Sequence, residues 1–274
     1  MNKVYEDNLS LLINGDCITE MQNLIDSGVK VDKVITSPPY NIVRPNCSDR
    51  GYDIYQDGMT NEEYIEWTIK IFNLYDKILN DNGCVIYNMS YGTENTEVMN
   101  LTVAEILKRT NFTLADIIVW KKFSAVPNNV SSNKMTRICE FIYVFCRRNE
   151  FGTFTANKKI IGQRNETNQN IYENTFNFIQ APNNSETQNL NKATYSIELV
   201  KALIERYVRK TDVVLDNFSG TGTTMAACVS MGIKSIGIEL SQAQCEHTIK
   251  RIDKGIQTDI FSMCQDYQQE EFKT

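Results

Sequence analysis

Histidine is almost absent from this chain of 274 residues, in which only His247 occurs. A single imidazole excludes a His-rich metal site, and it disfavours a serine or cysteine nucleophile that depends on histidine for activation. The residues around His247 have the pattern of a charged helix, so we expect an ordinary surface histidine there.

Long apolar runs and paired cysteines are also missing. No stretch of about 18 apolar residues occurs, and the start, MNKVYEDNLS, lacks the apolar core of a signal peptide. The eight cysteines contain no C-x-x-C pair. We therefore expect a cytoplasmic protein without a membrane span, whose thiols are reduced and mostly buried.

Positive charge is outnumbered but concentrated. The chain has 28 Lys and Arg against 34 Asp and Glu, a net charge of −6. Between Trp120 and Asn165, however, there are nine basic residues and only two acidic ones, Glu140 and Glu150. This segment therefore carries a charge of +7 and the rest of the chain −13. Such segregation suits a polyanion bound on one side of an acidic body. A solvated basic loop explains the charge equally well.

Short apolar runs alternate with segments of helical period, which predicts an α/β fold with a mostly parallel sheet covered on both faces. Thr60 and Glu63 have the spacing of a capping box. The predicted strands are Val31–Thr36, Gly83–Met89, Leu114–Trp120, Phe141–Cys146, Val213–Asp216 and Ser235–Leu240. The predicted helices are one beginning after Thr60, then Asn95–Arg109, Ser196–Arg209, Thr223–Met231 and Gln242–Lys254.

One motif has the chemistry of a nucleoside site. The strand Val213–Asp216 runs into a turn containing Gly220 and Gly222, and the next strand brings Glu239, which can accept from both ribose hydroxyls. No lysine follows the glycines, so this is not a phosphate-binding P-loop. Asp216 would repel a pyrophosphate and favour a cation, so S-adenosylmethionine fits better than NAD. A lone Gly-x-Gly could merely close a turn, but the two acids make that explanation weaker.

A second motif, Val34–Asn41, places two prolines directly after a strand. Pro38 and Pro39 fix the backbone and remove two donors, which leaves carbonyls free to accept from a ligand. Tyr40 can stack on a planar base, while Ser37 and the Pro38 carbonyl can accept from an exocyclic amine. A stiff loop or a partner-binding sequence is the alternative, and the preceding apolar strand disfavours the latter.

Together these motifs resemble those of a known family. Thr36–Asn41, TSPPYN, and Asp216–Thr224, DNFSGTGTT, are similar to the catalytic and cofactor motifs of amino-group (cytosine-N4 or adenine-N6) DNA methyltransferases. The catalytic motif comes first, which is the permuted order of the β class. The resemblance implies a Rossmann-like methyltransferase fold, S-adenosylmethionine as cofactor and no metal. It implies double-stranded DNA as partner, allows a cognate restriction endonuclease, and leaves monomer and homodimer open.

The resemblance also implies site residues and an organisation of the chain. The catalytic residues are Ser37, Pro38, Pro39 and Tyr40. The cofactor residues are Asp16, Cys17, Asp216, Phe218, Ser219, Gly220, Thr221, Gly222, Thr223, Thr224 and Glu239. The DNA-binding residues are Asn41, Lys121, Lys122, Lys134, Arg137, Lys158, Lys159 and Arg164. Residues 1–120 form the catalytic part, 121–191 a loop-rich target-recognition insertion, and 192–274 the cofactor-binding part of the same domain.

The expected reaction is methylation of a flipped base. The base stacks on Tyr40 and its amino group donates to Ser37 and the Pro38 carbonyl, which frees the nitrogen lone pair for attack on the methyl group. Cytosine-C5 chemistry is excluded because no Pro-Cys pair occurs.

Departures from the family pattern affect the target base and the methionine end of the cofactor site. Asn217 stands where the family has proline, and residues 191–196 lack its His-Pro. Ser37, in place of the usual aspartate, favours cytosine-N4 over adenine-N6. Methylation of a protein amide is disfavoured by the motif order, and an inactive DNA-binding relative by the intact motifs.

Overall fold

The computed structural model describes residues 1–41, 58–92, 95–125, 127–129, 132–183 and 195–253. Within these ranges no helix is both long and apolar enough to cross a membrane. The strands are β1 Lys3–Glu6, β2 Ser10–Asn14, β3 Val31–Thr36, β4 Leu79–Met89, β5 Phe112–Lys122, β6 Cys139–Arg147, β7 Ile160–Gln163, β8 Asn170–Tyr172, β9 Phe178–Ala181, β10 Val213–Asp216 and β11 Lys234–Glu239. The helices are α1 Cys17–Asp26, α2 Asn61–Ile78, α3 Val98–Arg109, α4 Ile197–Tyr207, α5 Thr223–Ser230 and α6, residues 242–253.

One nine-stranded sheet organises the fold, in the order β1-β2-β11-β10-β3-β4-β6-β5-β9. All strands point the same way except β1 and β6, which pair antiparallel with their neighbours. The carboxyl ends of the parallel strands therefore lie along one edge, where ligands bind in open α/β sheets. Because β6 runs backwards, its first residues reach that same edge.

Helices cover both faces of the sheet, as the alternating pattern predicted. Side chains of α1, α2 and α3 pack on one face, around Phe72, whose ring meets four aromatic rings edge-on. Side chains of α4 and α5 pack on the other. A smaller cluster joins α5 and α6 to β2, around Leu12 and Met225. The α/β class with a mostly parallel sheet is confirmed.

The predicted elements agree with the structure, with small shifts at their ends. Strands β3 and β10 have the predicted limits, and the expected capping box at Thr60 and Glu63 is formed. Of the eight cysteines, six lie in the described residues, all are free, and five are buried. The other two, Cys47 and Cys264, lie outside the described residues.

The region 121–191 is partly built into the main sheet. It begins inside β5 and contributes β6 and β9 to the main sheet. Between these strands, β7 and β8 form a separate antiparallel hairpin whose residues are almost all exposed. The expectation of a loop-rich insertion thus missed β7, β8 and β9, while residues 184–191 lie outside the described part.

Candidate active site

The two motifs singled out in the sequence meet at the carboxyl edge of the sheet. Strands β3 and β10 are neighbours, so the loops that follow them begin side by side. Thr36, the last residue of β3, donates its hydroxyl to Asp216, the last residue of β10, over 2.7 Å. On the other side of the loops, the ring of Phe218 lies 5.4 Å from that of Trp67 on α2. The proline loop and the glycine loop therefore share one site.

The proline loop holds two hydroxyls in contact. Ser37 Oγ lies 2.8 Å from the Tyr40 hydroxyl, and the Tyr64 hydroxyl on α2 donates to the carbonyl of Pro39 over 2.8 Å. Pro38 is buried and Pro39 is exposed. The loop is thus tied to α2, and it presents the Ser37 and Tyr40 hydroxyls side by side.

Asn41 has a structural role that the sequence did not reveal. Its side chain is 4% exposed, with the amide oxygen accepting from the backbone N–H groups of Gly58 and Met59 and the amide nitrogen donating to the Met59 carbonyl. Both polar atoms of its amide are engaged inside the protein. The expectation that Asn41 contacts DNA is therefore corrected: it holds the start of α2 against the proline loop.

Three further polar side chains surround Tyr40. Asn88 of β4 donates its amide to the Tyr40 hydroxyl over 2.8 Å and to Glu140 of β6 over 3.0 Å. The Tyr40 hydroxyl donates to the same Glu140 oxygen over 3.2 Å, and Lys122 of β5 pairs with the other. Burial, and the charge of Glu140, raise the pKa of Tyr40 well above its ordinary value. Tyr40 therefore stays a neutral hydroxyl in the site.

Neither Asn88 nor Glu140 was predicted, and Lys122 was assigned to DNA. One signal was available for Glu140, which is one of only two acids in a strongly basic segment. The structure gives Lys122 an internal partner, because its side chain is 21% exposed and is paired with Glu140 beside the proline loop. Its ammonium also lies 5.1 Å from the centre of the Trp120 ring.

The glycine loop is fixed by Glu239 and by α6. Glu239 accepts from the N–H groups of Gly220 and Ser241, over 2.7 and 2.9 Å. Gly222 has φ +77°, and a Cβ there would lie 2.4 Å from Thr248 of α6. A side chain at Gly222 would therefore collide with α6, a constraint separate from the ligand approach expected of the glycines. His247, on α6, is half-buried, and burial together with the positive charge of Arg251 lowers its pKa.

Asp216 is buried, with hydrogen bonds to both oxygens. Besides Thr36, it accepts from the Tyr195 hydroxyl over 3.2 Å and from the Phe218 N–H over 3.2 Å. Tyr195 also contacts the Thr224 hydroxyl at 2.5 Å. Burial raises the pKa of Asp216 above its ordinary value, although these donors oppose the shift. Asp216 thus joins the two loops as well as placing a carboxyl beneath them.

The glycine loop offers polar groups that the protein leaves unused. The side-chain oxygens of Ser219 and Thr221 are buried and have no hydrogen-bond partner within the described residues. The carboxylate of Glu239 lies against the same loop, where it accepts from the Gly220 N–H. These acceptors and hydroxyls fit a ligand that carries ribose hydroxyls and an amine. No cluster of three or more possible metal ligands occurs in the described part of the chain.

The remaining cofactor residues lie beside this loop. Asp16 caps α1 by accepting from the Thr19 N–H over 3.0 Å. Cys17 is buried, and burial together with the Asp16 charge raises its pKa to about 12, which makes it a packing residue and not a nucleophile. Thr223 accepts a hydrogen bond from Arg251 of α6 over 2.9 Å.

The other basic residues assigned to DNA lie in three places. Arg137 stacks over the ring of Tyr91, 5.1 Å from its centre, and Lys134 lies in the same stretch before β6. Lys121 is the half-buried neighbour of Lys122. The exposed hairpin region carries Lys158, Lys159 and Arg164.

Comparison with known proteins gives a family match over most of the chain. The family model described as DNA methylase matches residues 31–251. The Type II methyltransferase M.HinfI of Haemophilus influenzae is 24% identical over 277 aligned positions, 92% of this chain and 70% of that protein. The Type II methyltransferase M2.MboI of Moraxella bovis is 26% identical, over 83% of this chain and 82% of that protein.

Solved structures share the fold at low identity. The PvuII DNA methyltransferase (cytosine-N4-specific) superposes with a TM-score of 0.68 at 16% identity, covering 95% of this chain and 94% of that one. The M1.HpyAVI–SAM complex gives 0.60 at 20% identity, covering 89% and 100%. At such identities the likeness establishes the fold, here the Rossmann-like fold of DNA methyltransferases.

Proposed function

Because this chain belongs to the DNA methylase family, we propose that it transfers the methyl group of S-adenosylmethionine to an exocyclic amino group of a base in DNA. The observation that carries the proposal is the hydrogen bond between Thr36 and Asp216. It joins the residue before Ser37 to the first residue of the glycine loop, so an amine held at Ser37 lies next to a ligand held by that loop.

The glycine loop would hold the cofactor. Glu239, at the end of β11, would accept from the ribose hydroxyls, and the hydroxyl oxygens of Ser219 and Thr221 have no partner within the described residues. Asp16, Cys17 and Phe218 would line the same pocket, with Asp216 beneath it. When bound, S-adenosylmethionine supplies a methyl group on a positively charged sulfur.

Catalysis then consists of orienting the amino group. Its two N–H groups donate to Ser37 Oγ and to the Pro38 carbonyl, while Tyr40 stacks on the ring. These acceptors pull the nitrogen out of conjugation with the ring, so that its lone pair forms the new N–C bond as the C–S bond breaks toward sulfur. The surplus proton leaves the nitrogen for water.

We propose cytosine-N4 as the target, with adenine-N6 as the alternative. The argument is the neutral hydroxyl at Ser37, where the resembling adenine enzymes mostly have aspartate.

For recognition, we propose that the exposed hairpin of β7 and β8, within the predicted region 121–191, contacts double-stranded DNA. A two-stranded ribbon fits the major groove, and Lys158, Lys159 and Arg164 suit phosphates. Lys121, Lys134 and Arg137 remain assigned to DNA on the same grounds. A restriction endonuclease with the same recognition site is proposed as a functional partner, since both relatives above are named Type II methyltransferases.

The test is mass spectrometry of nucleosides from DNA incubated with the protein and methyl-labelled S-adenosylmethionine. Labelled N4-methylcytosine is the expected product. Labelled N6-methyladenine would keep the mechanism and reverse the target base. The absence of any labelled nucleoside, on DNA of diverse sequence, would contradict the proposal.

A variant separates catalysis from cofactor binding. The double substitution Ser37→Ala and Tyr40→Ala removes both hydroxyls and the stacking ring, so we expect methylation to fall by at least about 100-fold. S-adenosylmethionine should still raise the melting temperature of the variant, because the glycine loop is intact. Unchanged turnover in the double variant would refute the assigned roles.

A further inference from the structure

The group formed by Asn88, Glu140 and Lys122 lies beside Ser37 and Tyr40 and has no role in the reaction described above. The three residues come from three strands, β4, β6 and β5, and meet because β6 runs antiparallel between the other two. Glu140 is mostly buried, with 12% of its side chain exposed. A buried carboxylate beside two hydroxyls constrains where their protons lie.

The Tyr40 hydroxyl has one proton to donate and two lone pairs to accept with. The Glu140 carboxylate, paired with the Lys122 ammonium, can only accept, so the Tyr40 proton points to Glu140. The amide of Asn88 is oriented by the same carboxylate, because its oxygen would repel Glu140 at 3.0 Å whereas its nitrogen donates. Asn88 therefore gives Tyr40 one proton, over 2.8 Å.

The contact between Ser37 and Tyr40 then has only one direction. Tyr40 has already donated its proton and accepted one, so the 2.8 Å contact can form only if Ser37 donates to the remaining lone pair. Asn88 lies 3.4 Å from Ser37 Oγ, farther than its two other acceptors. The lone pairs of Ser37 are thus left for an incoming N–H group.

We propose that Glu140 is a positioning residue that acts through Tyr40: it fixes the direction of the hydrogen bonds so that Ser37 presents an acceptor to the amino group of the target base. Lys122 orients Glu140, and Asn88 fills the second position on Tyr40. This inference rests on the proposed methyl transfer and adds to it three residues that touch neither base nor cofactor.

The first test is the substitution Glu140→Gln. The amide of glutamine can donate to Tyr40 as well as accept from it, so the direction is no longer imposed. We expect kcat to fall by about tenfold to 100-fold, the effect of losing a hydrogen bond to a charged group, while the KM values for S-adenosylmethionine and DNA change little. Unchanged kcat would overturn the proposal.

A matched control is available just beyond the other end of β6. Glu150 is also paired with a basic residue, Arg147, and is buried to a similar degree, with 14% of its side chain exposed. Glu150→Gln is therefore expected to leave kcat as in the wild type. An equal loss of kcat in the Glu150→Gln protein would overturn the positioning role, because the effect would then come from losing any buried ion pair.

A double-mutant cycle with Tyr40→Phe tests whether Glu140 acts through Tyr40. Without the Tyr40 oxygen there is no hydrogen bond to direct, so Glu140→Gln should lower kcat no further in the Tyr40→Phe background. An equal fold loss in both backgrounds would overturn the proposal in favour of a direct contact between Glu140 and the substrate.

Two measurements keep the test decisive. If Glu140→Gln does not fold because Lys122 is left unpaired, the pair Glu140→Gln and Lys122→Met removes both charges, and it should fold with the same low kcat. A wild-type kcat in this double variant would overturn the proposal. A rise in the KM for DNA without a fall in kcat would also overturn it, because Lys122 would then be a DNA contact. Label in DNA from the wild-type protein tests the proposed function separately in the same assay.

Discussion

The carboxyl of Asp216 lies beneath both loops, and its burial has a consequence for stability. Burial raises the pKa of Asp216 in the folded protein, so the folded state binds this proton more tightly than the unfolded chain does. The resulting stabilisation is complete below the unfolded pKa of about 4 and is lost as the pH rises through the raised folded pKa.

The substitution Asp216→Asn removes this titration. We expect the free energy of unfolding of the wild type, minus that of the variant, to decrease as the pH rises from about 3 toward 7, by at most about 1.4 kcal/mol per pH unit. Urea unfolding curves at a series of pH values measure the difference. A difference that stays constant or grows with pH would show that Asp216 is ionised in the folded protein at low cost.

Some individual site residues were predicted from the sequence and others were missed, for a physical reason. Ser37, Asp216 and Glu239 each end a strand or follow one directly, so local pattern was enough to place them at the ligand edge. Asn88 and Glu140 become neighbours only through the antiparallel register of β4 and β6. No short stretch of sequence encodes that pairing, because it depends on which strands are adjacent.

Among the elements, the turn between β10 and α5 depends on a glycine for two separate reasons. Gly222 has a left-handed backbone, and a Cβ would also collide with Thr248. Gly232, after α5, has a similar φ of +64° but nothing within 4 Å of its Cβ position. The pair therefore separates backbone strain from lack of space.

We expect Gly232→Ala to lose about 1–2 kcal/mol of unfolding free energy, the cost of a left-handed backbone for an L-residue. Gly222→Ala should lose more, because α6 must also move, and it should weaken S-adenosylmethionine binding since the loop shifts with it. Denaturant unfolding and calorimetric titration measure the two effects. Equal losses with unchanged cofactor binding would mean that α6 adapts freely.

Elements were predicted where local pattern and burial agree. The buried strands β3 and β10 have the limits that their apolar runs indicated. Strands β7 and β8 were not predicted, because they are exposed and lack the alternation of apolar and polar residues that marks a half-buried strand. Helix α1 was missed although its signal was present, since Asp16 caps a segment in which Met21 and Leu24 recur at helical spacing.

For the whole molecule, the uneven charge distribution decides how an acidic protein can approach DNA. Several of the nine basic residues are engaged within the protein: Lys122 pairs with Glu140, Arg147 pairs with Asp76 and Glu150, Arg148 donates to backbone carbonyls, and Arg137 lies over the Tyr91 ring. The charge available to a polyanion is therefore smaller than the sequence suggested. The hairpin region, with Lys158, Lys159 and Arg164 exposed, is where it is concentrated.

Replacing Lys158, Lys159 and Arg164 by Gln tests whether this local charge or the net charge governs binding. Each neutralised phosphate releases counterions, so the slope of log K against log salt should become shallower by about 0.9 for each phosphate that the variant no longer neutralises. Lys108→Gln, Arg109→Gln and Lys210→Gln form the matched control. They make the same change in net charge outside the hairpin, before β5 and β10. We expect only the hairpin variant to change the slope, and we expect S-adenosylmethionine binding to be unaltered in both variants. Equal changes in slope would mean that net charge, and not the hairpin, determines DNA binding.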